Sequence, residues 1–356
     1  MPNLPPLPGV DAQTLLRERE ANHFVRERQD LNAAPTVTLP GLYEVPWGSM
    51  REAYGPAYFV PYYISALSSP DEEDRIWGLQ ALWASINHQG HPDEASPHVV
   101  PFLFALLDAP QLPDRQMVLK FTIELAVGDA RWCYEAGSDV DGFHHTACYD
   151  AVAVGAAAIG HHLGHELATV RAEAVRGCGL VAAFDGYIDT VQDMARQDAD
   201  PGVRLTARIA LGCMARRTGR DVAAWVRRLE PSEDRWERAD HVAALAYALG
   251  SGVSDLERES LQELGGSMPT DEEVAYGEAE DPEDRPENLA WDVINSVRHQ
   301  YVTVSVPPTL EQQIARWSRA KWTGLRSNVR GERPPRCWHQ SPRSQTRRGN
   351  GQAYPR

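Results

Sequence analysis

Residues 198–214 read DADPGVRLTARIALGCM. The acidic turn ends at Asp200, which is placed to cap a helix, and Pro201 takes the first helical position, where a missing N–H costs nothing. Counted from Arg204, small or apolar side chains stand at offsets three, six and seven, as Ala207, Ala210 and Leu211. Those offsets share one face of a helix. A face of such small side chains predicts a helix that packs closely against another.

The same offsets recur along the chain. Arg75 is followed by Gly78, Ala81 and Leu82, and Arg115 by Val118, Phe121 and Thr122. Arg171 is followed by Ala174, Gly177 and Cys178, and Arg238 by His241, Ala244 and Leu245. Thr122 and His241 depart from the pattern. Upstream of each arginine lies a second apolar-periodic segment, at 58–67, 99–107, 149–163, 187–195 and 221–229. Five helix–turn–helix units follow. None buries its apolar faces alone, but stacked neighbours make one continuous core.

These units resemble HEAT repeats, in which two antiparallel helices flank a turn aspartate and an arginine follows four residues later on the second helix. Asp71–Arg75, Asp200–Arg204 and Asp234–Arg238 carry that pair, whereas Gln111–Arg115 and Leu167–Arg171 lack the acid. The resemblance spans residues 50–250. It implies an all-α fold, an α/α superhelix wound as a right-handed solenoid of about five HEAT-like hairpins. It also implies that the Asp and Arg side chains link successive units, and that Pro61 and Pro101 bend the first helices. An exposed i,i+4 ion pair contributes only ~0.3–0.5 kcal/mol and an acidic cap about 1 kcal/mol. One fully buried Leu contributes ~1.5–3 kcal/mol. Apolar contact between units therefore outweighs the arginines, which set register.

Four regions are expected. Residues 1–46 hold a Pro-rich start and a helix over 11–31 with Leu15, Leu16, Phe24 and Val25 on its buried side. Residues 47–264 form the repeat array, interrupted by an insertion at 128–146. Residues 265–325 contain a loop with nine acids, followed by C-terminal helices. Residues 326–356, with eight Arg and one acid, read as a basic disordered tail.

That tail carries +7, which leaves −22 on the first 325 residues of a chain whose net charge is −15. So acidic a body repels nucleic acid and anionic membranes and favours a partner with a basic surface. No apolar run approaches the ~18 residues that span a bilayer, and no secretory signal stands at the start. The five cysteines are scattered and form no CxxC, which fits a reduced, cytoplasmic setting.

Candidate binding residues fall in two places. Trp83 and His88 belong to the end of the first anchor helix, and Trp132, Tyr134, His144 and His145 to the insertion DARWCYEAGSDVDGFHHT. Loops that interrupt a regular array often carry binding function, although the same aromatics also serve to seal neighbouring units. His161 and His165, four apart, predict two imidazoles on one helix face beside Glu166, a partial metal site. The metal-binding deoxyhypusine hydroxylases are built of HEAT-like repeats with several His-Glu pairs, and here His165-Glu166 is the single pair. No metal and no cofactor is therefore expected. The reading is a non-catalytic protein–protein interaction module, with a partner in the groove lined by the second helices or at the insertion. The alternatives are a metal- or cofactor-dependent enzyme of hydroxylase or lyase type on the same scaffold, and nucleic-acid binding through the Arg-rich tail.

Overall fold

A computed structural model describes residues 7–26, 31–128, 145–221 and 224. The chain divides into two compact units, Met1–Pro307 and Pro308–Arg356, and every described residue lies in the first. The fifth expected unit with Asp234 and Arg238, most of the insertion, the acidic 265–325 region and the 326–356 tail lie outside the described residues.

The described chain is mostly helical. Helices α1 (Ala12–Ala21) and α2 (His23–Arg26) stand where one helix over 11–31 was expected. Asn22 breaks them apart: it leaves the helical region, and its Oδ1 accepts the N–H groups of Phe24 and Val25 to start the second helix. Leu16 is consequently 56% exposed, contrary to the expected buried stripe, while Val25 is fully buried. Residues 31–46 then lie against the first hairpin. The Asn32 and Ala33 N–H groups donate to the Asp74 carboxylate, and the Trp47 indole N–H donates to the Leu42 carbonyl.

Four helical pairs follow. The first is α3 (Val60–Ala66) with α4 (Glu72–Ser85), the second α5 (Ser96–Leu107) with α6 (Arg115–Val127). In the third, the expected helix over 149–163 is divided into α7 (His145–Val154) and α8 (Ala156–His161), ahead of α9 (Ala168–Leu180). The break falls at Gly155, where a Cβ would meet the Phe104 ring at 2.1 Å. The fourth pair is α10 (Ile188–Gln197) with α11 (Pro201–Thr218). As expected, Asp200 caps α11 by accepting the Val203 N–H, with Pro201 at the first position. Between pairs, α9 packs against both α6 and α11, and α5 packs against α3 and α7.

Two short antiparallel hairpins were not expected. One pairs β1 (Arg51–Glu52) with β2 (Gly55–Pro56), and the other pairs β3 (Asn87–His88) with β4 (His91–Pro92). Each strand is only two residues long, too brief to leave an alternating pattern in the sequence.

The core follows the offsets counted from each arginine. Gly78, Ala81, Leu82, Val118, Phe121, Thr122, Ala174, Gly177, Cys178, Ala207, Ala210 and Leu211 are all buried. Thr122 is accommodated because its hydroxyl donates back to the Val118 carbonyl at 2.7 Å. Cys148, Cys178 and Cys213 are buried and in no disulfide, and burial lifts the first two to about 12, so they act as small apolar side chains. Among the described residues no helix is long and apolar enough to cross a membrane.

Close approach explains the small residues. A Cβ on Gly78 would stand 2.6 Å from the Tyr63 carbonyl oxygen and 2.8 Å from the Ala66 Cβ, both on α3. Gly78→Ala is expected to destabilise the protein by about 1–3 kcal/mol through overpacking, even though Ala gains about 1 kcal/mol of helix propensity. Gly164→Ala, where no atom lies within 4 Å of the added Cβ, is the neutral control. Denaturant unfolding of both variants checks it, and equal midpoints would refute the close approach.

Candidate functional site

The anchor arginines share one local environment. Arg75 Nη1 donates to the carbonyls of Ser69 and Pro70, both at 2.9 Å. Arg171 Nη1 donates to those of His165 (2.8 Å) and Glu166 (3.0 Å), and Arg204 Nη1 to those of Asp198 (2.8 Å) and Ala199 (3.3 Å). Arg115 uses Nη2 for Ala109 (2.6 Å) and Pro110 (3.3 Å). In every case the acceptors lie six and five residues before the arginine. These carbonyls lie in the turn past the end of the first helix; that of Ala109 also accepts the Leu112 N–H, and for the others the guanidinium supplies a donor that the helix ladder does not.

The expected Asp–Arg pairing four residues apart is not what these acids do. Asp71 and Asp200 accept helix N–H groups as N-caps. For Arg75 and Arg171 the carboxylate comes instead from the following turn. Arg75 Nε donates to Asp114 at 2.6 Å, and Arg171 holds Asp198 through two bonds of 2.8 and 2.7 Å. Asp114 adopts a left-handed backbone (φ 45°), which Asp tolerates better than most side chains. Burial works against ionising Asp198, but hydrogen bonds from Arg171 and the Asp200 N–H, with the Arg171 and Arg204 charges, hold its carboxyl below the ordinary value.

Of the candidate binding residues, Trp83 and His88 are fully described and stand in different surroundings. Trp83 is half-buried, edge-on to Phe121 at 5.1 Å, and its indole N–H donates to Glu124 Oε2 at 2.9 Å. Glu124 lies 3.6 Å from Arg176 Nη2, and Arg176 Nη1 bonds Glu173 at 3.3 Å. One polar chain thus crosses α4, α6 and α9. His88 leans edge-on against Tyr54 at 5.5 Å, and its Nδ1 meets the Ala84 carbonyl at 3.1 Å. His145 opens α7, whereas Trp132, Tyr134 and His144 lie outside the described residues.

The two histidines expected on one helix face are separated. Helix α8 ends at His161, a short 3-10 turn covers His162–Gly164, and His165 is extended (ψ 147°). His165 Nδ1 accepts the Leu167 N–H at 3.1 Å instead. Among the described residues, no group of three or more His, Cys, Asp or Glu side chains is gathered for a metal ion.

Sequence reasoning missed several buried polar groups around β1 and the end of α4. Glu52, on the β1 strand, is 3% exposed and its Oε2 has no hydrogen-bond partner; the Tyr63 hydroxyl, the Ser85 hydroxyl and Asn87 Oδ1 are likewise buried without one. The Ala53 N–H bonds the Ser85 carbonyl at 2.9 Å, which brings β1 onto the end of α4. Burial, opposed by Ser85 and aided by the Asp93 charge, pushes the Glu52 carboxyl up to about 8. An acid kept neutral at pH 7 can donate a hydrogen bond. An isolated Glu between Arg51 and Ala53 carries no pattern that announces its burial.

No family model matches the chain, and comparison with curated proteins and with solved structures yields no match.

Two outcomes follow from these carboxyls. Removing the charge in Asp198→Asn is expected to cost about 1.5–3 kcal/mol near neutral pH, since Arg171 loses its buried partner. The Asp198 pKa is lowered in the fold, so its contribution is present above the unfolded value and lost as pH falls through the folded one. Urea unfolding against pH reads this directly, and a pH-independent difference would contradict it. Glu52 has the opposite sign. Its folded carboxyl holds the proton up to about 8 against 4.5 ordinarily, so stability falls as pH rises between those values and flattens above. Glu52→Gln is expected to abolish that slope and to gain roughly 2–4 kcal/mol above pH ~8. A slope unchanged by the substitution would remove Glu52 as its source.

Proposed function

We propose that the helical pairs stack as a right-handed HEAT-like superhelix and that the chain works as a non-catalytic scaffold for another protein with a basic surface. The observation that carries the reading is the recurring guanidinium environment: four arginines, each over the carbonyls six and five residues behind it. A local motif that recurs in register is the mark of repeat architecture, in which each unit contacts mainly its neighbours and one long face is left for partners. The packing of α9 on α6 and α11 accords with such a row of second helices.

Charge selects the partner. With −22 on the first 325 residues, electrostatic steering favours a basic protein surface, and the polar chain of Trp83, Glu124, Arg176 and Glu173 supplies an aromatic edge with carboxylates beside it. Tryptophan is among the residues that most often dominate protein interfaces.

Affinity capture on the full chain, with mass-spectrometric identification and repetition with the purified partner, tests the proposal. A stoichiometric basic protein is expected, its affinity falling about tenfold or more as salt rises from ~0.1 to ~1 M and the screening length shortens from about 10 to 3 Å. Trp83→Ala is expected to weaken it by ~1–2 kcal/mol if the groove is used. Capture of an acidic partner, or binding indifferent to salt, would refute the electrostatic selection, and recovery of nothing above background would refute the scaffold role.

A further inference from the structure

The ladder of arginines can be compared turn by turn. The carboxylate that closes a rung comes from the next turn, one residue before its arginine for Asp114 and six before for Asp198. In the turn that follows Arg115, those two positions hold Val170 and His165. Among the described residues, Arg115 accordingly meets no carboxylate within bonding distance. Asp108 is exposed, and its charge acts on Arg115 without an ion pair. The guanidinium has turned so that Nη2 takes the Ala109 and Pro110 carbonyls while Nη1 reaches back to that of Leu107. Its Nε–H, the donor that meets an aspartate in Arg75 and Arg171, makes no hydrogen bond.

His165 holds the sequence position that Asp198 holds in its own turn, His162 lies three residues before it, and the charge of Arg115 acts on both. His162 is 9% exposed and its Nε2 is buried without a hydrogen-bond partner. Its ring lies edge-on to that of His165 at 6.0 Å. Burial first, then the charges of Arg115 and His165, hold His162 down to about 4, with Asp108 opposing and His161 adding. His165 is lowered by burial and then by Arg115, with Glu166 opposing and Arg171 adding. Both rings are therefore largely neutral at pH 7 and feel the charge of Arg115, which meets no carboxylate among the described residues.

We propose that Arg115, His162 and His165 form a binding site for a small oxyanion, a carboxylate or a phosphate-type group that completes the rung the chain leaves without its acid. The anion accepts the Arg115 Nε–H as Asp114 and Asp198 accept those of Arg75 and Arg171. Its negative charge offsets the repulsion from Arg115, so His162 takes up a proton when the anion binds. Binding consequently tightens as pH falls through the bound-state value of His162 and levels off near its free value of about 4.

Calorimetric titration of the full chain, at constant ionic strength, tests the site with sodium sulfate and, in a separate arm, sodium acetate. Sulfate keeps its charge over the range, so its affinity is expected to be about tenfold or more higher near pH 5 than near pH 8, with one site per chain. Tighter acetate than sulfate binding at pH ~6 identifies a carboxylate ligand, and the reverse a phosphate-type ligand. Arg115→Gln is expected to abolish binding. His165→Asp places a carboxylate at the position Asp198 occupies in its own turn; it should also abolish binding, while the melting temperature is kept or raised, which separates loss of the site from loss of the fold. Failure of both anions to saturate, retention of binding in His165→Asp, or an affinity indifferent to pH would each overturn the proposal.

Discussion

A helical hairpin has an unavoidable defect at its turn. The carbonyls of the turn beyond the first helix fall outside its hydrogen-bond ladder. Here one guanidinium per hairpin meets that demand, placed on the first turn of the second helix so that it reaches back over carbonyls six and five residues behind. Arginine suits the task because its planar fork offers several donors in fixed directions and keeps its charge even when half-buried. The helix pairs can then approach closely enough for Gly78 and Ala66, or Gly177 and Ile123, to touch.

The same side chain connects neighbours. Once Nη1 is committed to its own turn, the other edge of the guanidinium faces the next turn, where Asp114 or Asp198 meets it. Internal capping and external linkage thus come from one residue, and a change in the following turn alters the rung without altering the hairpin. Arg115 is the case in point: its carbonyl bonds persist although Val170 and His165 stand where an acid stands elsewhere. Lower on the helices, Trp83, Glu124 and Arg176 make a second polar connection across three successive pairs.

Much of this was legible in the residues. Small side chains at offsets three, six and seven from an arginine repeated often enough to locate four helix pairs, and the Asp200-Pro201 start of α11 was readable to the residue. Other features were not. Asn22 terminates a helix that periodicity would have continued, because its side chain competes for backbone N–H groups. The aspartates at 71 and 200 serve the helix N-terminus instead of the arginine four residues on, a choice between two reachable partners that spacing does not decide. Glu52 and His162 are buried by contacts with segments distant in the chain, and neither has a neighbour pattern that marks an inward polar residue.

By itself the sequence determined the helical class, the order of the pairs and which face of each second helix is buried, since these follow from local capping and from the period of 3.6 residues. Only the tertiary structure decided the partners of the charged groups: which carboxylate meets which arginine, that Glu52 stays protonated at pH 7, and that the charge of Arg115 acts on His162 and His165. The physical reason is range. Helical periodicity acts over a few residues, whereas desolvation and ion pairing depend on whatever the fold brings within a few ångströms, and for these side chains that comes from tens of residues away.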